Sequence, residues 1–361
     1  MTSTTHVPAQ VFPAGDYVRD ELEARGWTVT EFASIINRPV QAVSEILNDK
    51  KEITTETAIA FGEAFGTTAE MWLNLQTSYR LHSSPRATTP TPIQRRSELR
   101  SIVPLYAAQK RGWISSTSEP NELQASVMEL LEIRSLSDQP PFNIAARRSN
   151  HSEPLSLEQT AWLGHIRQVA KRRTAPKFSM AKLAKIAADL PHITAPGPTA
   201  FADATAALAA CGVILVFAEG LPGGKLDGAV TVLGNGRHVI GLTTRGDRFD
   251  SVLFTLLHEC AHIVLGHVTA DGPTVIDDDS SNAATDPNEI AANDQAEKWL
   301  FPDGSQFSFV SNVEIIQAAE HAHIHPSVIF GRIQKATNNW TRYAKQIPKV
   351  RAALDSLGLL S

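Results

Sequence analysis

The sequence predicts a mainly α-helical protein with a small β-sheet, an α+β arrangement. Three observations carry this. Apolar residues recur at helical spacing through most of the 361 positions. Three short runs rich in β-branched residues cluster between positions 212 and 244. An apolar stretch, residues 254 to 267, sets two histidines four positions apart. With 42% hydrophobic and 20% charged residues, the composition is that of a soluble globular chain, long enough for two or three domains. No run approaches the roughly 18 apolar residues that span a bilayer, and residues 1 to 8 lack a basic and apolar leader. A cytoplasmic protein without a membrane partner is expected. Cys211 and Cys260 are distant in sequence and lie in apolar surroundings, which predicts buried free thiols.

Residues 1 to 13 are polar and expected to fray. Tyr17, Val18 and Leu22 then set a helical stripe that ends near Arg25 and Gly26, and Thr28 or Thr30 caps a second helix through Phe32, Ala33 and Ile36. A turn at Asn37, Arg38 and Pro39 leads to a third helix over 40 to 47. Helices over 54 to 65, stopped by Gly66, and 69 to 79 follow. Five short helices with a tight turn between the second and third predict a helix-turn-helix domain over residues 1–82. The run Val43-Ser-Glu-Ile-Leu-Asn48, then Ile53-Thr-Thr-Glu-Thr-Ala-Ile-Ala60, Gly66 and Trp72-Leu-Asn-Leu-Gln-Thr-Ser-Tyr79 resemble the HigA-type antitoxins of the XRE helix-turn-helix family. The resemblance implies a DNA partner. By position, Gln41, Ser44 and Asn48 would face base edges, and Arg38, Lys50 and Lys51 would lie near phosphates. Pairing into a homodimer across a two-fold axis is expected of such domains. The charge runs the other way: residues 1–82 hold six Lys or Arg against eleven Asp or Glu, with Glu45 on the reading helix. Phosphate neutralisation normally dominates affinity, so a dimerisation or protein-docking module is the alternative.

A Pro, Ser and Thr-rich stretch marks a linker over 83–100, and 101–195 form a helical connecting region with segments at 96 to 110, 120 to 133, 156 to 172 and 179 to 188. Its charge reverses sign: Arg86, Arg95, Arg96, Arg100, Lys110 and Arg111 face the single acid Glu98, as phosphate contacts or as ordinary solvated helix faces. The last domain, 196–361, opens with a helix near 200 to 210. Strands follow at 212–217, 227–233 and 237–244, the last two joined by a Gly234-Asn-Gly236 hairpin signal. The strand over 237–244 is the candidate sheet edge for an extended peptide.

His258 and His262 project from one helix face and can bind one metal ion. Glu259, between them in sequence, is placed to take a proton from a bound water and pass it to a leaving amine. Leu253, Phe254, Leu256, Leu257, Ile263, Val264 and Leu265 would bury the segment, and buried histidines with a glutamate need partners that a metal supplies. Cys260 points away from that face. A catalytic zinc takes a third protein ligand. Pro287 opens a downstream helix that offers Glu289 and, two turns later, Glu297. His267 is either surface or support for the site. The alternate histidines 321, 323 and 325 would converge only on a strand, whereas this segment has helical spacing.

The stretch Leu256-Leu-His-Glu-Cys-Ala-His-Ile-Val-Leu-Gly-His267, with Glu289-x-x-Ala292-Asn293 and Trp299-Leu-Phe-Pro302, is similar to the ImmA/IrrE metallopeptidases. Residues 105–114, 145–149 and 324–334 resemble that family's connecting region and closing helices. The sequence departs from the family's usual glutamate at Ala291 and phenylalanine at Gln295. The resemblance implies one zinc ion held by His258, His262 and Glu289, gluzincin-like, with Glu259 catalytic. It also implies a regulatory endopeptidase whose protein substrate is a repressor or antitoxin. The alternative is a non-proteolytic regulator that uses the same fold as a sensor or scaffold.

Overall fold

The computed structural model describes residues 11–84, 90–142, 147–148, 155–268, 274–278, 286–304 and 311–361. Most of the fraying expected of 1–13, most of the acidic loop 277–286, and the phosphate contact suggested for Arg86 lie outside the described residues. The chain divides into two compact units, Met1–Thr91 and Pro92–Ser361. Among the described residues, no helix is long and apolar enough to cross a membrane.

The first unit is five helices: α1 (Ala14–Arg25), α2 (Val29–Ile35), α3 (Val40–Leu47), α4 (Thr55–Phe65) and α5 (Ala69–Ser83). Local chemistry sets their ends. Thr28 and Glu31 form a capping box on α2, and Thr54 and Thr68 accept N–H bonds at the starts of α4 and α5. Gly26 and Gly66 close α1 and α4 at positive φ, where a side chain would clash with its own backbone. The core is aromatic: Phe32, Phe61, Phe65 and Trp72 are buried with neighbouring ring centroids 4.6–6.1 Å apart.

In the second unit, α6 (Pro92–Ile102) occupies part of the stretch expected as linker. α7 (Leu105–Lys110) is separate from it because Pro104 has no N–H to continue the ladder, so the single helix expected over 96 to 110 is two. α8 (Pro120–Leu131), β1 (Arg147–Arg148), α9 (Leu157–Lys171), α10 (Met180–Ile193), α11 (Phe201–Ala210), β2 (Val213–Phe217), β3 (Leu226–Val232), β4 (His238–Leu242), α12 (Phe249–Val264), β5 (Val275–Asp278), α13 (Pro287–Leu300), α14 (Asn312–His321), α15 (Pro326–Thr337) and α16 (Arg351–Ser356) follow.

The strands form one sheet in the order β1-β5-β3-β4-β2. β3 runs antiparallel to both β4 and β5, while β2 with β4 and β1 with β5 are parallel. Side chains alternate between two buried faces. Val213, Leu215, Phe217, Val230, Ile240 and Leu242 join a core with α10, α11, α12 and α15. Ile214, Val216, Ala229 and Val239 join a second core with α8 and α9. Arg167 of α9, 6% exposed, ties the layers: it binds Glu132, Thr231 Oγ1 at 2.8 Å and the Val232 carbonyl at 2.9 Å.

Two expectations are corrected. The strand over 237–244 is not an edge: β4 is hydrogen-bonded on both sides, parallel to β2 and antiparallel to β3, and cannot accept an extended peptide. The division at 195 between a connecting region and a final domain is absent. α8 and α9 cover the second apolar face of the sheet, which would otherwise be exposed, so 101–195 and 196–361 share one core.

Candidate metal centre

α12 is buried from Phe249 to Ile263 apart from its few outward positions, because it lies against the inner face of the sheet. Its one-turn spacing delivers His258 and His262 to the same side, with His258 Nε2 and His262 Nε2 2.9 Å apart. α13 is started by Asp286, which accepts the Asn288 N–H, and by Pro287 at the first position. Ala292 and Ala296 are fully buried on α13, and such small side chains permit a close approach to α12. Glu289 thereby reaches both imidazoles, Oε2 at 3.1 Å from His258 Nε2 and Oε1 at 3.5 Å from His262 Nε2. All three side chains are buried and, among the described residues, form a cluster of metal-donor type with ligand atoms within 4.8 Å of one another.

The donor set fits a zinc ion. Donors around a tetrahedral zinc with bonds of about 2.0–2.1 Å stand about 3.3 Å apart, and the three separations here, 2.9, 3.1 and 3.5 Å, bracket that value. Burial disfavours the ionised Glu289 carboxyl, but hydrogen bonds from His258 and His262 outweigh it and hold the group down at about 2. Burial also pushes the His262 imidazole below its ordinary value, which favours the neutral ring that a metal needs.

Both rings have a polar partner behind them. His258 Nδ1 lies 3.1 Å from Asn293 Oδ1, an acceptor for the Nδ1 proton that would leave Nε2 to a metal in place of its present contact with Glu289. Asn293 is one turn beyond Glu289, on the same face of α13. His262 Nδ1 lies 3.0 Å from His267 Nδ1. The end of α12 explains that contact: Gly266, at φ +74°, and His267 donate N–H bonds back to Ile263 and His262 carbonyls. This reversal folds His267 over His262.

Glu259 is fully buried and lies against β3 at Gly228, where an added Cβ would stand 2.4 Å from Glu259 Oε1 and 2.7 Å from Thr255 Cγ2. Gly228 and the role of Asn293 are what sequence reasoning missed. Only the β3 to α12 packing reveals the former, while the one-turn spacing from Glu289 was a signal for the latter. Glu297 does not join the cluster: its carboxylate bonds Arg332 at 2.7 Å. His325 caps α15 through Nδ1, accepting the Ser327 N–H, and His321 ends α14, so these histidines have structural places. Both cysteines are buried free thiols, and burial pushes the Cys260 thiol far up.

In the first unit, Gln41, Ser44 and Asn48 share one face of α3, with Gln41 and Asn48 exposed. Gln41 donates to Glu45 at 3.0 Å and Asn48 to the Ser44 carbonyl at 2.7 Å. Arg38, Lys50 and Lys51 are exposed at the two ends of that helix.

A family model described as helix-turn-helix matches residues 18–72. The chain is 27% identical over 81 residues to the HTH-type transcriptional regulator YddM of Escherichia coli, covering 22% of this chain and 86% of that protein. It is 36% identical over 64 residues to an HTH-type transcriptional regulator of Haemophilus influenzae, covering 18% and 60%. Among solved structures, an addiction module antidote protein of a HigA family from Coxiella burnetii is 33% identical, covering 20% of this chain and 79% of that one at a TM-score of 0.19. Residues 18–72 of the N-terminal unit thus match a helix-turn-helix domain.

Proposed function

We propose that the protein is a regulatory zinc endopeptidase acting on a protein substrate such as a repressor or antitoxin, with a helix-turn-helix domain that binds DNA. The convergence of His258, His262 and Glu289 in a buried cluster at zinc-donor spacing carries the peptidase half. When bound there, zinc supplies a Lewis acid and acidifies a water towards neutrality. His258, His262 and Glu289 would hold the ion; Asn293 Oδ1 can accept from His258 Nδ1 and so leave that ring's Nε2 for the metal, and His267 packs behind His262. Glu259 takes the proton of the attacking water at a carboxylate oxygen. It delivers that proton to the amide nitrogen as the peptide bond breaks.

The match to helix-turn-helix regulators supports the DNA half. Gln41, Ser44 and Asn48 would read base edges in the major groove, while Arg38, Lys50 and Lys51 would hold phosphates. A second function is favoured by the burial of the centre, where His258, Glu259, His262 and Glu289 are 0–3% exposed: a regulator that senses metal without hydrolysing protein.

The test is Glu259→Gln. It is expected to retain zinc by mass spectrometry and to lose the biological effect. Retention of both would favour the metal-sensing regulator. For DNA, a promoter fragment should bind at low salt and release as salt rises. Failure to bind at low salt would reject that half.

A further inference from the structure

We infer that a cavity beside the metal centre receives a bulky apolar residue of the substrate and that Lys335 selects an acidic residue next to it; this rests on the peptidase function proposed above. The cavity measures about 430 Å³, large enough for two residues of a polypeptide. It lies between α12 and α15, closed on one side by the end of α13, and adjoins the metal donors without including them. From α12 come Phe254 and Thr255, from α15 Arg332 and Lys335, and from the end of α13 Leu300. Phe254 is one turn before His258, with ring centroids 6.4 Å apart. Thr255 is one turn before Glu259, and both pack against Gly228. The cavity is thus one helical turn from the centre along α12.

Its chemistry selects the occupant. Phe254, Leu300 and Trp340 give it an apolar wall. Its three acids each lie beside an arginine: Asp227 by Arg245 at 3.3 Å, Asp250 by Arg248 at 2.6 Å and Glu297 by Arg332 at 2.7 Å. Those pairs leave Lys335 as the unmatched lining cation among the described residues. It is exposed, with its ammonium 5.3 Å from the centre of the Phe254 ring. An apolar side chain on Phe254 thus brings its neighbour within reach of a positive charge.

Binding of fluorescein-labelled, capped hexapeptides to zinc-loaded full-length Glu259→Gln protein tests this by polarisation, independently of turnover. A central Phe-Asp pair is expected to bind on the order of tenfold more tightly than Ala-Asp, from apolar burial. It should bind about three- to fivefold more tightly than Phe-Lys, from one exposed ion pair. Lys335→Glu should invert the charge preference. Ser251→Trp, at an exposed lining position, should abolish binding with zinc content unchanged. Equal binding of Phe-Asp and Phe-Lys, no inversion by Lys335→Glu, or no detectable binding overturns the inference. The selectivity is seen with peptides even if wild-type protein cleaves nothing, in which case the peptidase function alone fails. Cleavage of a protein substrate unaffected by Lys335→Glu and Ser251→Trp would reject the cavity alone.

Discussion

Gly228→Ala is the most informative single change, because it adds one methyl group at the place where β3 meets α12. The new Cβ would stand 2.4 Å from Glu259 Oε1, 3.1 Å from its Cδ and 2.7 Å from Thr255 Cγ2. A contact near 4 Å is comfortable for carbon, so the Glu259 carboxylate must withdraw by about 1 Å or more. Overpacking of this kind costs about 1–3 kcal/mol, and the backbone gains back about 0.5–1 kcal/mol because alanine is better than glycine within a strand. The net is a loss of roughly 0–2.5 kcal/mol, at most a fall of several degrees in Tm for a unit of this size. Catalysis should suffer far more, since a displacement of about 1 Å in a reacting group costs on the order of a hundredfold.

The control is Gly241→Ala on the neighbouring strand. Its Cβ would meet Trp162 at 2.8 Å and Ile166 at 3.0 Å, on the sheet face away from α12. It should lower Tm at least as much and leave the centre intact. Both variants are to be compared for zinc content, melting temperature and hydrolysis of the substrate per bound zinc. A Gly228→Ala protein that hydrolyses at the wild-type rate would refute the placement of Glu259, and equal losses of hydrolysis in both variants would show only general damage.

Three further outcomes are expected. Asn293→Ala and His267→Ala, which leave all three metal donors in place, should each weaken zinc retention about 10- to 100-fold in chelator competition; unchanged retention would remove them from the support of the centre. Burial holds His165, stacked on Trp113 at 4.5 Å, down to about 4, against 6.5 for the ordinary group. Because the folded-state value is depressed, its contribution is full above about pH 6.5 and is lost as the pH falls, amounting to about 3 kcal/mol by pH 4. Denaturant titrations at pH 7 and pH 4 should therefore show a smaller acid loss for His165→Gln than for wild type, and identical losses would sink the assignment. Gly15→Ala would place a Cβ 2.6 Å from the Ile46 carbonyl and 2.7 Å from that of Leu47, backbone atoms that cannot turn aside. It should destabilise the first unit by about 1–3 kcal/mol and displace the end of α3; a wild-type melt and undiminished promoter binding would contradict the close packing of α1 on α3.

The local elements were largely legible in the sequence, since caps and periodicity act over a few residues. Thr28 with Glu31, Gly26 and Gly66 announce the helices of the first unit, and the four-residue interval between His258 and His262 is enough to align them once the segment is helical. The glycine-rich turn between β3 and β4 is equally local: Gly236 takes φ +77°, and Leu233 donates to the Arg237 carbonyl at 2.9 Å. Pro104 was a local signal that the helical spacing over 96 to 110 concealed.

Strand order is another matter. The run over 237–244 has the composition of any buried strand, and nothing in it distinguishes an edge from an interior position. β4 is interior because β2 joins its far side, a pairing between segments some 25 residues apart. The helical stretch from 101 to 195 likewise carries no mark of the partner for its apolar faces, and only the sheet's second face makes α8 and α9 part of the same core.

The sequence by itself determined the donor types, their helical spacing and the helix-turn-helix pattern, because each depends on neighbours within one or two turns. The family resemblance pointed to Glu289 over Glu297, and the tertiary structure brings Glu289 to the histidines; it alone decided that His267 packs on His262, that Asn293 stands behind His258, and that Gly228 makes room for Glu259. Those facts depend on how α12, α13 and β3 approach one another. That approach is set by the burial of both sheet faces together, a condition that no single stretch of sequence contains.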